Sequence, residues 1–363
     1  MTKSDSILAA LRNRLAQGDY AVRPFPAERD LASEFAVSYM TARKVVAQLM
    51  REGLLVRSGR GRATPAAQGE AGRPILSLLA YGWPARAFVR LPQLLLTAAS
   101  ACDLACSHQR FTHWDDPVVN HTLARSRGVL ILPPADDVPA AVVERLVHSG
   151  CKTAVIGTDL SSHGLMSIDH LPATAVRTAL DHLSERGHRR LAVVNVQPHD
   201  HAIRARLAEV QVWARAHGPV ELIDQPVTHG TDPLEPACAA AARLFASQQR
   251  ATGVLGLTLH AALGAQRAAA DRGIRVGPDF ALAALDGENL AAHLVPSLTT
   301  VDSTGLPEAI ANAAAWMSGA INDPPLLVRC AVTLHVREST AERASGERHQ
   351  SRATKHSRPL RAD

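Results

Sequence analysis

The chain has 363 residues, 46% hydrophobic and 20% charged, with a formal net charge of +5. That length exceeds one ordinary domain and the composition is globular, so two or three cooperative units are expected. No apolar run reaches the roughly 18 residues of a membrane span, and the start MTKSDSILAALRNRL lacks a signal-peptide apolar region, so a cytoplasmic protein without a membrane partner is expected.

The charge is concentrated at the front. Residues 1–65 hold eleven Lys/Arg against six Asp/Glu, a local balance of +5, which suggests that this segment meets a polyanion. Ile7, Leu8, Leu11 and Leu15 mark a first amphipathic helix ending near Gly18. Pro24 and Pro26 then fix an extended entry to a second helix, on which Leu31 and Phe35 stand four apart. A tight turn over Ala36-Val37-Ser38 follows, with Ser38 placed to cap a third helix, SYMTARKVVAQLMREGLL. Met40, Val45, Val46, Leu49 and Met50 give that helix an apolar stripe, while Tyr39, Thr41, Arg43 and Lys44 crowd its first turns. After Gly53, LLVRSGRGRATP alternates as a strand does and breaks at Ser58-Gly59-Arg60-Gly61, a hairpin with arginine at its tip. Two helices across a tight turn plus a hairpin make a winged helix-turn-helix. Its crowded second helix would enter a major groove, where side chains reach base edges and the helix-start amides meet phosphate.

PFPAERDLASEFAVSYMTARKVVAQLMREGLL followed by GRGR resembles the DNA-binding domain of GntR-type bacterial regulators. The resemblance implies double-stranded operator DNA as partner, with Arg29, Thr41 and Arg43 contacting bases or phosphates and Gly59, Arg60 and Gly61 setting the wing in the minor groove. Ser38, Tyr39 and Lys44 complete the expected DNA-facing set. Tyr39 stands where the family commonly has arginine, and it cannot grip guanine bidentately.

The small, polar, proline-bearing stretch TPAAQGEAGRP (64–74) marks a linker, placed at 67–73. Beyond it the apolar runs ILSLLAYG, GVLILPP, TAVIG, RLAVVNV, GVLGLT and FALAALD alternate with alanine-rich amphipathic helices, the pattern of an α/β protein with a parallel sheet covered on both faces. Ligands sit beyond the carboxyl ends of such strands, which directs attention to Tyr81, Trp83, Pro134, Asp136, Asp159, Asn195, Thr258 and Asp286. No GxSxG elbow, P-loop, GxGxxG or HExxH is present and the 17 histidines are scattered, so neither catalytic residues nor a cofactor is expected. Five cysteines without a CxxC pair point to reduced thiols. Cys102, Cys106 and His108 form a CxxxCxH string, but the two cysteines read as one helical turn apart in an apolar segment, and no metal is expected.

HLSERGHRRLAVVNV, AIRARLAEVQVWARAHG, GVLGLTLHAALGAQRAAADRGIRVGPDFALAALDG and HLVPSLTTVD are similar, in that order, to landmarks of the LacI/GalR-type effector domain and of periplasmic sugar-binding proteins. The resemblance implies a bilobed, doubly wound domain over 74–337. Lobe 1 takes about 74–171 and 300–322 and lobe 2 about 172–299 and 323–337, with crossings near 172, 299 and 323. It also implies a sugar or related polyol held between the lobes, with Arg206 and Asp286 on the family's ligand-holding positions and Trp83, Asp159 and Thr258 beside them. Glu209 and Val210 stand where the family has glycine and an aromatic residue, and Thr258-Leu259 where it has an Asn/Ser-Asp pair. Residues 338–363 lack apolar periodicity and read as a disordered basic tail. The expectation is a homodimeric, DNA-binding repressor whose operator affinity a small carbohydrate modulates. The alternative is a constitutive binder with a degenerate or non-sugar pocket.

Overall fold

The computed structural model describes residues 3–16, 20, 24–52, 54–57, 63–65, 74–82, 90–134, 136–228, 231–246, 250–287 and 290–340. The expected helix end at Gly18, the wing tip Gly59, Arg60 and Gly61, the linker 67–73, Trp83 and the tail from 341 onward lie outside the described residues.

Three helices open the chain: α1 (Lys3–Ala16), α2 (Glu28–Glu34) and α3 (Tyr39–Arg51). The strands β1 (Leu55–Arg57) and β2 (Ala63–Pro65) follow, antiparallel, with Val56 opposite Thr64. Ile7, Leu11, Phe25, Leu31, Val45, Val46, Leu49 and Leu55 close into one core. The turn between α2 and α3 passes through Ala36 at φ +49°, a left-handed position that lets α3 leave α2 sharply. Arg12 donates to Glu52 through Nε at 2.9 Å and Nη2 at 2.6 Å, a paired bond that ties α1 to the end of α3.

The first sheet has the order β13-β7-β6-β5-β3-β4, all parallel. Its strands are β3 (Ile75–Tyr81), β4 (Ala105–Phe111), β5 (Gly128–Leu132), β6 (Lys152–Ile156), β7 (Met166–Asp169) and β13 (Leu327–Arg329). One face packs against α4 (Leu91–Ala101) and α11 (Leu306–Ser318) through Leu95, Ala99, Ile310 and Met317. The other packs against α5 (Pro117–Arg125) and α6 (Ala140–His148) through Val119, Leu123, Val143 and Leu146. Helices on both faces require strands apolar on both sides, and β3 has that character, with Leu76, Leu78 and Leu79 at most 1% exposed.

The second sheet has the order β14-β12-β11-β10-β8-β9, parallel except that β14 runs antiparallel to β12. It comprises β8 (Leu191–Asn195), β9 (Val220–Asp224), β10 (Gly253–Gly256), β11 (Ala281–Leu285), β12 (Thr299–Ser303) and β14 (Val332–His335). α7 (Thr174–Glu185) and α8 (His201–His217) cover one face, and α9 (Leu234–Ala242) and α10 (Leu259–Ala270) the other. α9 and α10 approach so closely that a Cβ on Gly264 would fall 2.4 Å from the backbone carbon of Ala237. This contact explains the alanine-rich composition of both helices.

Three expectations need correction. The second and third crossings between lobes fall near 304 and 330, not 299 and 323, because β12 pairs with β11 in the second sheet and β13 pairs with β7 in the first. Ser297 to Thr300 and Asn322 to Pro325, which suggested the breaks, instead lead into β12 and β13. The tail does not begin at 338: Glu338–Thr340 form a 3-10 turn with Ser339 and Thr340 buried. The Ser339 hydroxyl donates to the Leu282 carbonyl at 2.6 Å, and Thr340 Oγ1 lies 2.8 Å from His182 Nε2 and 2.7 Å from Thr299 Oγ1. Finally, Cys102 terminates α4 while Cys106 and His108 lie on β4, so the two cysteines do not share a helix.

Candidate DNA-reading face and interlobe cleft

The face that would meet DNA is built by capping. Ser38 Oγ accepts the Thr41 amide at 3.2 Å and shares a hydrogen bond of 2.9 Å with Thr41 Oγ1, so these two residues hold the start of α3 together. Arg29, Tyr39, Arg43 and Lys44 are exposed around that start. Tyr39 does not point its hydroxyl outward: it donates to Glu28 Oε2 at 2.7 Å, while Arg57 Nη2 donates to Glu28 Oε1 at 2.7 Å. One carboxylate therefore links α2, the first residue of α3 and the wing strand β1. The Tyr39 hydrogen bond holds the Glu28 carboxyl below its usual range despite partial burial, with Arg57 adding to the effect. The same bond pushes the Tyr39 phenol upward. The spacing placed Met40 on the apolar stripe, yet it is 57% exposed. The core takes Ala42, Val45, Val46 and Leu49 instead.

Between the lobes lies a cavity of about 280 Å³. Lobe 1 contributes Asp159, Asp169 and Arg329, the first crossing contributes Leu171 to Thr174, and α8 contributes His201 and Glu209. Asp159 accepts from the Ser161 hydroxyl at 2.6 Å and its amide at 2.9 Å, which keeps its carboxyl low. Asp169 is half-buried at the end of β7, and burial pushes its carboxyl up against the pull of Arg206 and Arg329.

Arg206 is 6% exposed. Its Nη2 donates to the Leu171 carbonyl at 3.2 Å, and its Nε has no hydrogen-bond partner among the described residues. Burial lowers its guanidinium, opposed by Asp200, Asp286 and Asp169. Asp286 takes the left-handed backbone (φ +56°) just after β11, with its amide bonded to the Val301 carbonyl at 3.0 Å. Burial pushes its carboxyl up to about 6, Arg206 pulling the other way. Thr258 is the N-cap of α10, its hydroxyl accepting the Ala261 amide at 3.3 Å. Asn195 is likewise committed, bonding Gln197 and Asp224.

Of the residues singled out from sequence, the structure thus gathers buried Arg206 and half-buried Asp286 in one charge cluster, lines the cavity with Asp159, and uses Thr258 as a cap. Asp169, His201 and Arg329 were missed. Asp169 follows the strand-end rule, but its strand is only four residues long. Arg329 sits on a three-residue edge strand with no readable periodicity. Glu209, one of the departures, accepts from Arg177 Nε at 2.7 Å, and Val210 is buried beneath it between α7 and α8. Arg204 of α8 also pairs with Asp137 in the loop after β5, an ion pair from lobe to lobe. Among the described residues no three His, Cys, Asp or Glu gather as a metal site, and no helix is long and apolar enough to cross a membrane.

A winged helix-turn-helix ahead of two doubly wound lobes with a charged cleft defines a two-module chain. Residues 3–64 match the family described as bacterial regulatory proteins, gntR family, and residues 180–340 match the periplasmic binding protein-like domain. The chain therefore carries a GntR-type helix-turn-helix domain followed by a periplasmic binding protein-like domain. It is 36% identical over 131 residues to an uncharacterized HTH-type transcriptional regulator in the aml 5′ region of Streptomyces limosus, a match spanning 35% of this chain and 36% of that relative. In fold it is similar to a LacI-family regulatory protein from Chloroflexus aggregans (TM-score 0.63, 18% identity, 73% of this chain and 98% of that one). It is similar as well to the LacI-family regulator CcpA of Weissella paramesenteroides with bound glucose (0.61, 15%, 74% and 98%). A third likeness is to the lac repressor dimer bound to operator and the anti-inducer ONPF (0.61, 17%, 74% and 95%).

Proposed function

We propose that the chain is a transcriptional regulator that binds operator DNA through α3 and the wing as a homodimer, and represses until a small carbohydrate enters the interlobe cleft. The observation that carries this reading is the capped, exposed start of α3, where Arg43 and Lys44 face solvent beside Arg29. A helix start offers unpaired amides and a positive dipole end to phosphate, and basic side chains add counterion release.

The cleft supports a polyhydroxyl ligand. Arg206 has a donor left over at Nε, and Asp286 and Asp169 are half-buried carboxylates. A guanidinium fork and a carboxylate each engage two vicinal hydroxyls. A ligand that touched Asp159 and Asp169 on one lobe and Arg206 and Asp286 on the other would draw the lobes together. Through lobe 1 this would change the spacing of two heads and couple to DNA affinity by about 1–3 kcal/mol. The Weissella relative in fold holds glucose.

The alternative, constitutive DNA binding with a pocket that no longer takes sugar, is favoured by Glu209, whose salt bridge to Arg177 sits in the cavity wall, and by Thr258, whose hydroxyl is spent on a cap. Fluorescence anisotropy on the protein's own upstream DNA, at two salt concentrations and with a pool of monosaccharides, tests both. Steeply salt-dependent binding that the pool weakens supports the repressor. Binding that ignores the pool supports the alternative, and no binding refutes the reading of the head.

A further inference from the structure

Met40 is the second residue of α3 and 57% of its surface is exposed, next to Tyr39 at 44%. On the same helix Val45, Val46 and Leu49 are at most 2% exposed, so the core is complete without it. Helical spacing puts Arg43 and Lys44 three and four residues on, which places Met40 on the basic, solvent-facing side. Its neighbour Tyr39 shows carbon to solvent as well, because the single donor of that side chain is engaged by Glu28, which Arg57 holds in turn. The start of the helix thus presents an apolar pair inside a rim of cations.

The rim argues for a polyanionic occupant, and the helix-turn-helix brings the pair to a major groove. There the apolar feature of a base edge is the C5 methyl of thymine. We propose that Met40, with the ring of Tyr39 beside it, reads a thymine methyl, leaving Arg43 and Lys44 to hold phosphate or guanine. This rests on the DNA-binding reading above. It makes Met40 a specificity-determining residue at a position that no motif singled out, and it replaces guanine selection by the missing arginine with selection for thymine.

The full-length protein would be used to select binding sites from a random-sequence duplex pool. Each thymine of the selected site would then be replaced in turn by deoxyuridine, which removes the methyl and leaves the pairing intact. Expected is a loss of affinity of about fourfold at one thymine per half-site, the worth of one apolar carbon withdrawn from water, and disappearance of that sensitivity in Met40→Ala. Deoxyuridine without effect at every thymine, or a Met40→Ala protein that keeps the full sensitivity, overturns the inference while the selected site leaves the DNA-binding reading intact. A pool that yields no enriched sequence and no salt-dependent binding overturns both. Because Met40 is exposed, the variant is expected to melt with the wild type, and that measurement accompanies the comparison.

Discussion

Replacing Asp286 by asparagine removes one ionisation from the charge cluster around Arg206 and leaves the shape nearly unchanged. The Asp286 carboxyl titrates near 6, chiefly because burial disfavours its charge, even with Arg206 nearby. An unfolded aspartate titrates near 3.9. Between those values the native state holds a proton that the unfolded chain has released, so native stability falls as pH rises through the window. Integrated across it, the ionised carboxylate costs the folded protein about 3 kcal/mol above pH 6 and almost nothing at pH 4. Asp286→Asn should therefore melt above the wild type by roughly 6–12 °C at pH 8 and by little at pH 4, taking roughly 2–4 °C per kcal/mol for a body of this size. Asparagine also tolerates the left-handed backbone at 286, but that offset is independent of pH and cancels when the two pH values are compared. Thermal unfolding followed by circular dichroism at both pH values is the assay. A constant difference between variant and wild type across pH would show that Asp286 is not held away from water, and would refute the account of the cluster around Arg206.

Ser38→Ala removes the cap of α3 and should cost about 1 kcal/mol of stability in the head, read from melting of the full chain by helical ellipticity. Arg43→Ala should lower DNA affinity and reduce the slope of log affinity against log salt by about one, measured by anisotropy over a salt series. Ending the chain at Arg337 rather than Thr340 should cost roughly 2–4 kcal/mol, since it strips the partners of Leu282, Thr299, His182 and Arg186 from a buried site. Melting the two truncated proteins side by side checks it, and equal midpoints would contradict the buried turn.

The parts of the fold that were legible were those written twice, in pattern and in punctuation. The six apolar runs are β3, β5, β6, β8, β10 and β11, interior strands whose two faces both meet helices. β4, β9, β13 and β14 lie at sheet edges, where half-exposed sequences such as ACSHQRF and VELID carry no continuous apolar signal. The lobe crossings shifted for the same reason, since β12 ends in polar residues and β13 is three residues long. In the cleft, Arg206 and Asp286 were legible through family resemblance, whereas His201 and Arg329 enter only when tertiary folding brings α8 to the edge of the first sheet. Met40 was misread because helical spacing reports a stripe without saying where the core ends. Ser339 and Thr340 were misread because two small polar residues bury themselves through hydrogen bonds that no apolar periodicity announces.

Both sheets are finished by strands from the end of the chain: β13 at residues 327–329 covers the edge of β7, and β14 at 332–335 covers the edge of β12. During synthesis at about 5–20 residues per second, the head through Pro65 leaves the ribosome roughly 14–54 s before His335 does. Late in that interval, once β12 has emerged and before β13 and β14 follow, a winged helix trails behind it two sheets that each expose an unpaired, strand-accepting edge. The segment 327–335 therefore decides when the newborn chain stops being an aggregation hazard, long after the module that would read DNA has been made.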